Sequence, residues 1–210
     1  MKETKEIAEK DLSTEEKIKE AARKLFTQKG FSAVRTRDIA EEAGINLALL
    51  NYYFRSKQKL FDIIMLENFR KFLQIISGKL LDENLTLEQK IENLVEAYID
   101  RLTENPDLPL FVLNELRGNP NKIATEISSE AAPMRALFFK QIAAGSNDGK
   151  IAPMEPLHFV ANLVGLTVFP FVGKPILQRV TEVNDEEFAR YMQQRKKLVP
   201  IWLKAIMNSK

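Results

Sequence analysis

Apolar positions along this chain recur at helical spacing, and strict alternation of apolar and polar residues is sustained nowhere. Ser13 with Glu16 three positions on reads as a capping box. Behind it, Ile18, Ala21, Ala22, Leu25 and Phe26 share one face of a first helix that Gly30 stops. Thr36 predicts the N-cap of a short second helix ending before Gly44, and Asn46 caps a third over 47–53. Ser56 opens a fourth that carries Leu60, Phe61, Ile64, Met65 and Phe72 towards Leu81.

Further on, Thr86 starts a fifth helix that ends near Asn105 and Pro106. A sixth spans 107–117 and a seventh 121–144, followed by a turn-rich link over 145–156. An eighth runs from Glu155 or Pro156 to 172, where Pro170, Gly173 and Pro175 break it up. Asn184 and Glu187 form another capping box for a ninth, whose apolar face is Phe188, Tyr191, Met192, Val199, Trp202 and Ile206. Pro200 is expected to kink or split it. The fold class is therefore all-α, with about nine helices.

Composition narrows the chemistry. The absence of cysteine removes disulfides, thiolate zinc sites and cysteine nucleophiles, and the single histidine, His158, rules out a multi-histidine metal site within one chain. No G-x-S-x-G elbow, G-x-G-x-x-G loop or phosphate-binding P-loop occurs, so neither catalysis nor a bound cofactor is expected. The first residues are charged throughout, unlike a signal peptide. The most apolar stretch, 159–172, falls short of the roughly 20 residues a membrane-spanning helix needs. A cytoplasmic protein is expected.

Charge changes the picture locally. Net charge is only +2, yet residues 1–60 hold 13 Lys and Arg against 10 Asp and Glu, whereas the remainder holds 18 against 19. The front of the chain is mildly basic, and Arg35, Arg37, Arg55, Lys57 and Lys59 bracket the segment Thr36–Lys57, TRDIAEEAGINLALLNYYFRSK. Two short helices joined by a glycine-containing turn make a helix-turn-helix. Ile39 and Ala40 face inward, Ala43 lets the helices approach, Gly44 turns the chain, Ile45 plugs the turn, and Leu50 and Phe54 anchor the second helix. Such a helix fits a DNA major groove, with hydroxyl, amide and cationic donors around it to meet phosphates.

Residues 13–61 resemble the DNA-binding domain of the TetR family of bacterial transcriptional regulators. The resemblance is carried by Leu25-Phe26, Gly30-Phe31, Thr36, Ile39-Ala40, Ala43-Gly44-Ile45, Leu50, Tyr53-Phe54, Ser56-Lys57 and Leu60. The family often writes the end of the second helix as L-Y-x-H-F-x-S-K; this chain reads LNYYFRSK, with Tyr53 where histidine is usual. By this resemblance Thr36, Tyr52, Tyr53 and Lys57 contact phosphates, and Arg37, Leu47, Ala48 and Leu49 face bases. Leu47, Ala48 and Leu49 offer only apolar contact to thymine methyls. Polar base readout is left to Arg37 and Asn51 with Tyr52, beside readout of DNA shape.

The expected organisation is a DNA-binding domain over 1–60, with a polar arm at 1–12, and a helical effector-binding and dimerisation domain over 61–210. The resemblance implies a homodimer, with the helices at 156–172 and 185–207 pairing with their twins through Phe159, Leu163, Leu166, Tyr191, Leu198 and Trp202. Ala161 and Gly165 permit a close approach there. It also implies a pocket for a small, largely apolar effector, for which Phe72, Tyr98, Phe111, Asn114, Phe138, His158 and Asn162 are the candidates. The function expected is a ligand-responsive repressor on a palindromic DNA operator. An all-helical enzyme built on His158, or a protein using the front unit to bind a protein partner, are the alternatives.

Overall fold

The computed structural model describes residues 13–118, 120–147 and 151–208; the polar arm expected at 1–12 lies outside them. Ten helices make up the described residues: α1 (Thr14–Ala33), α2 (Thr36–Glu42), α3 (Leu47–Phe54), α4 (Lys57–Leu81), α5 (Leu87–Glu104), α6 (Leu108–Gly118), α7 (Pro120–Asn147), α8 (Pro156–Val172), α9 (Lys174–Thr181) and α10 (Asp185–Asn208). No strand occurs among the described residues, and the fold class is all-α. The chain divides into two compact units, Met1–Glu67 and Asn68–Lys210, and the division falls inside α4.

Local chemistry sets most helix starts. Ser13 accepts from the Glu16 amide at 3.3 Å and Asn46 from the Leu49 amide at 2.8 Å. Thr86 and Gln89 cap each other reciprocally, as do Asn184 and Glu187. One expected cap moves by a residue: Arg35, not Thr36, is the N-cap of α2. The Asp38 carboxylate reaches back to accept from the Arg35 amide at 2.9 Å, and Thr36 becomes the first helical residue. Gly30, at φ 73° and ψ 159°, breaks the geometry of α1, but one more turn follows before Val34.

In the first unit Ile18, Ala22, Ile39, Leu50, Leu60 and Ile64 are fully buried. Phe26, Phe31 and Phe61 pack as a triad with ring centres 4.6–5.8 Å apart.

In the second unit α5 is central, packing on α7, α8 and α10, and α6 packs on α7 and α8. Its core includes Ile91, Val95, Ile99, Phe138, Phe159 and Val199. The expected ninth helix is the tenth. The chain bends by 74° after α8 and makes a separate short helix, α9, with Pro175 near its start, where the missing N–H is harmless. Pro200 does not split α10, which continues to Asn208 with Pro200 buried. No single helix among the described residues is long and apolar enough to cross a membrane.

Candidate nucleic-acid interface

The candidate interface is built around α2, the turn after it, and α3. The Ile45 amide donates to the Ala40 carbonyl at 2.9 Å and the Gly44 amide to that of Glu41 at 3.0 Å, with Gly44 at φ +68°. This is the Schellman pattern. It satisfies the last carbonyls of α2 and reverses the chain, provided the residue at 44 tolerates left-handed backbone. Asn46 then caps α3 at once, so the turn is short and fixed at both ends.

On α3, Leu50 and Phe54 point into the unit and are buried. At 3.6 residues per turn the opposite face carries Ala48 and Tyr52, flanked by Asn51 and Leu49. Tyr52 is 80% exposed and Tyr53 42% exposed, with their rings edge-to-face at 5.5 Å. Neither tyrosine is a core residue. Two large aromatic side chains left out of the core on one short helix, with phenol oxygens at their tips, form a stiff arm of hydrogen-bonding groups. Ala48, Asn51 and Arg37 are exposed, whereas Leu47, Leu49 and Thr36 are half-buried.

Lys57 has a structural role that its position in the sequence does not signal. Its ammonium donates to the main-chain carbonyls of Phe31 and Val34, both at 2.8 Å, and sits 4.2 Å from the centre of the Phe31 ring. It therefore closes the end of α1 while one of its three donors stays unassigned. Deeper in the unit, Glu67 joins Lys19 at 2.9 Å and also Arg23. Burial works to raise the Glu67 pKa, but these hydrogen bonds and charges outweigh it and hold the carboxyl below its ordinary value. Arg55, the C-cap of α3, adopts φ +60°, a strained position for a non-glycine residue.

In the second unit the expected seam and pocket residues fall in different environments. Phe159 and Leu163 are only 1% and 5% exposed, and Phe159 packs on Phe138 with ring centres 5.2 Å apart, which places both in the protomer's own core. Leu166 is half-buried, while Tyr191, Leu198 and Trp202 remain exposed on α10. Of the pocket candidates, Phe72, Phe111 and Phe138 are core residues, and Phe72 stacks edge-on against Tyr98 at 4.8 Å. Asn114 and His158 are exposed and Asn162 is half-buried. A cavity of about 560 Å³ lies among α5, α7 and α10, lined by Thr86, Leu87, Glu88, Ile91, Gln141, Ala144, Gly145, Ile151, Lys204, Met207 and Asn208. None of the seven candidates lines it.

A two-helix motif with a fixed turn, an exposed polar face and basic flanks defines a helix-turn-helix DNA-binding protein. Residues 18–64 match the family described as bacterial regulatory proteins, tetR family. The chain is 24% identical over 204 residues to the probable HTH-type transcriptional regulator YttP of Bacillus subtilis, covering 94% of this chain and 96% of that one. It is 28% identical over 179 residues to the HTH-type transcriptional regulator RutR of Escherichia coli K12, covering 81% of each. Its fold is similar to that of a TetR/AcrR-family regulator from Thermobifida fusca, with a TM-score of 0.62, 19% identity, and 89% and 96% of the two chains covered. The first unit thus carries a helix-turn-helix that matches the tetR-family DNA-binding domain, and over most of its length the chain is similar to helix-turn-helix transcriptional regulators.

Proposed function

We propose that the protein is a homodimeric, ligand-responsive repressor that binds a palindromic operator and changes its DNA affinity when a small, largely apolar molecule enters the second unit. The observation that carries the DNA half of this reading is the outer face of α3. Tyr52, Tyr53 and Asn51 are held out from a rigid, capped helix with Arg37 exposed nearby in sequence. Thr36, Tyr52, Tyr53 and Lys57 are assigned to phosphates, and Arg37, Leu47, Ala48, Leu49 and Asn51 to base edges.

The dimer is supported by apolar surface that a lone protomer leaves in water. Leu157, Val160 and Val164 on α8 and Tyr191, Leu198, Ile201 and Trp202 on α10 are all exposed. Two such helices from each protomer suit a four-helix seam. Dimerisation also supplies two reading heads about 34–36 Å apart, which one small head lacks. By chain order α4 links the two units, and a ligand that favours one spacing of the heads shifts operator affinity by its differential affinity for the two states.

The test is selection of random duplex DNA by the purified protein, followed by sequencing of the recovered sites. The reading expects a palindrome with fixed half-site spacing. Failure to enrich any motif at low salt, with the fold verified, would contradict it.

A further inference from the structure

Helix α9, Lys174–Thr181, buries none of its residues, and its polar side is the one that faces the protomer. Lys174 and Gln178, one turn apart, both reach the Asp185 carboxylate at the start of α10, at 2.6 and 3.1 Å. The Lys174 ammonium also lies 5.3 Å from the centre of the Phe188 ring. At about 100° per residue, Ile176 and Val180 fall on the opposite side of the helix. They are 70% and 76% exposed. A helix that packs on its own core turns its apolar stripe inward and its polar residues outward. In α9 that arrangement is reversed.

A helix this short is marginal in water unless something holds it. Here the Asp185 contacts hold its polar side, and at its C-terminal end the Val183 amide donates to the Gln178 carbonyl at 3.2 Å. The outward apolar stripe is therefore a fixed feature of the surface. It also continues a larger one. On α8, Leu157, Val160, Val164 and Phe169 are exposed, with Ala161 and Gly165 exposed between them. The Phe169 ring lies at the corner between the two helices, where a methyl group added to Gly173 would meet it at 3.3 Å. Gly173 precedes Ile176 and Val180 by three and seven residues, the spacing of one helix face, and its carbonyl accepts from the Ile176 amide at 3.0 Å. Phe169 thus connects the exposed face of α8 to that of α9.

We propose that α9 is an arm that grips a second copy of this chain, with Phe169, Ile176 and Val180 packing on apolar side chains of the twin beyond the end of the α8 and α10 seam. The arm rests on the dimer reading above and adds a contact outside its four helices. Continuity selects the occupant: a stripe that extends the exposed face of α8 meets the body that covers α8. In a two-fold dimer the contact is made twice, once by each α9. A lipid surface is a poorer match, because membrane-surface helices carry a broad apolar face beside a basic one. Here two aliphatic side chains stand on eight residues, with exposed Arg179 and Glu182 of opposite charge beside them.

The experiment follows the full-length parent, Ile176→Gln/Val180→Gln and Ile176→Leu/Val180→Leu by sedimentation over a dilution series. Glutamine and leucine both favour helix, so α9 is kept while its apolar character changes, and circular dichroism checks the helix content. The glutamine variant is expected to raise the dimer dissociation constant at least about tenfold, since two apolar side chains lose their burial twice per dimer. The leucine variant is expected to stay within about threefold of the parent. The arm is overturned if the glutamine variant dimerises like the parent, if the leucine variant is weakened as much, or if the glutamine variant loses helix content. Flotation of the parent, but not of the glutamine variant, with phosphatidylcholine–phosphatidylglycerol vesicles at an unchanged dissociation constant would assign the stripe to lipid and also overturn it. A parent that is monomeric at every concentration would contradict the dimer reading itself, whereas a dimeric parent with an equally dimeric glutamine variant contradicts the arm alone.

Discussion

Lys57 and Phe31 are joined twice: the ammonium donates to the Phe31 carbonyl at 2.8 Å and lies 4.2 Å from the centre of its ring. A residue assigned to a phosphate is thus also a clasp at the end of α1. Lys57→Met should cost about 2 kcal/mol of stability by leaving two carbonyls without their charged donor. It should also flatten the salt dependence of DNA binding by about one ion per head while weakening all sequences alike. Chemical denaturation and binding at several salt concentrations separate the two effects. A variant that loses affinity but no stability would show that the clasp is not formed.

Glycines at 44 and 78 should respond in opposite directions. At both positions an added methyl meets nothing within 4 Å, so only the backbone decides. Gly44 lies at φ +68°, and Gly44→Ala should lose about 1 kcal/mol and loosen the turn before α3. Gly78 lies in α4, and Gly78→Ala should gain up to about 1 kcal/mol. Thermal melts of the two variants give the comparison; equal changes would refute the backbone argument.

The exposed face of α10 predicts a change of assembly. Trp202 is 38% exposed and is covered on one side by the Arg195 guanidinium, 5.1 Å from its ring, which is itself tied to the Leu166 carbonyl at 2.7 Å. Placing a charge there with Trp202→Glu should shift the protein towards monomer by about tenfold or more in dissociation constant, with helix content retained. Phe159→Ala, by contrast, should destabilise each protomer by about 3 kcal/mol. Sedimentation and denaturation distinguish the two.

Acid should weaken the first unit through Glu67. Its folded pKa lies below the ordinary carboxylate value, so the stability it contributes is present above that ordinary value and is lost as pH falls through the lower folded one. Glu67→Gln should remove this part of the acid dependence below about pH 4.5. An unchanged pH–stability profile in that variant would show that the Lys19–Glu67–Arg23 cluster contributes nothing.

How much of the structure is legible in the sequence follows from the range of the interactions involved. Caps and turns act within a few residues, so Asn46, Gly44, Thr86 and Asn184 are legible as such, and with them most helix starts. The pattern of Leu50 and Phe54 leaves Tyr52 opposite the core, whereas the exposure of Tyr53 beside it is a tertiary outcome. The role of Lys57 at the end of α1 is hidden because its partners lie 23 and 26 residues earlier. The burial of Phe159 and Leu163 inside the protomer is not legible, because a helix facing a core and one facing a twin helix have the same apolar stripe. Helix α9 escapes the sequence pattern because Gly173 and Pro175 read as an end to helix, whereas Pro175 sits where a new helix tolerates it. The buried state of Lys90 is a tertiary fact with no local signal.

Binding of DNA by the outer face of α3 is tested most directly by the affinity of Asn51→Ala/Tyr52→Ala for the selected operator. Both side chains are exposed and lie outside the core, so the melting temperature should stay within about 2 °C of the parent. Operator affinity should fall by roughly 30-fold or more, as expected when two hydrogen-bonding side chains are removed from each half-site. Unchanged operator affinity in a correctly folded variant would contradict the account and move the DNA-binding surface elsewhere.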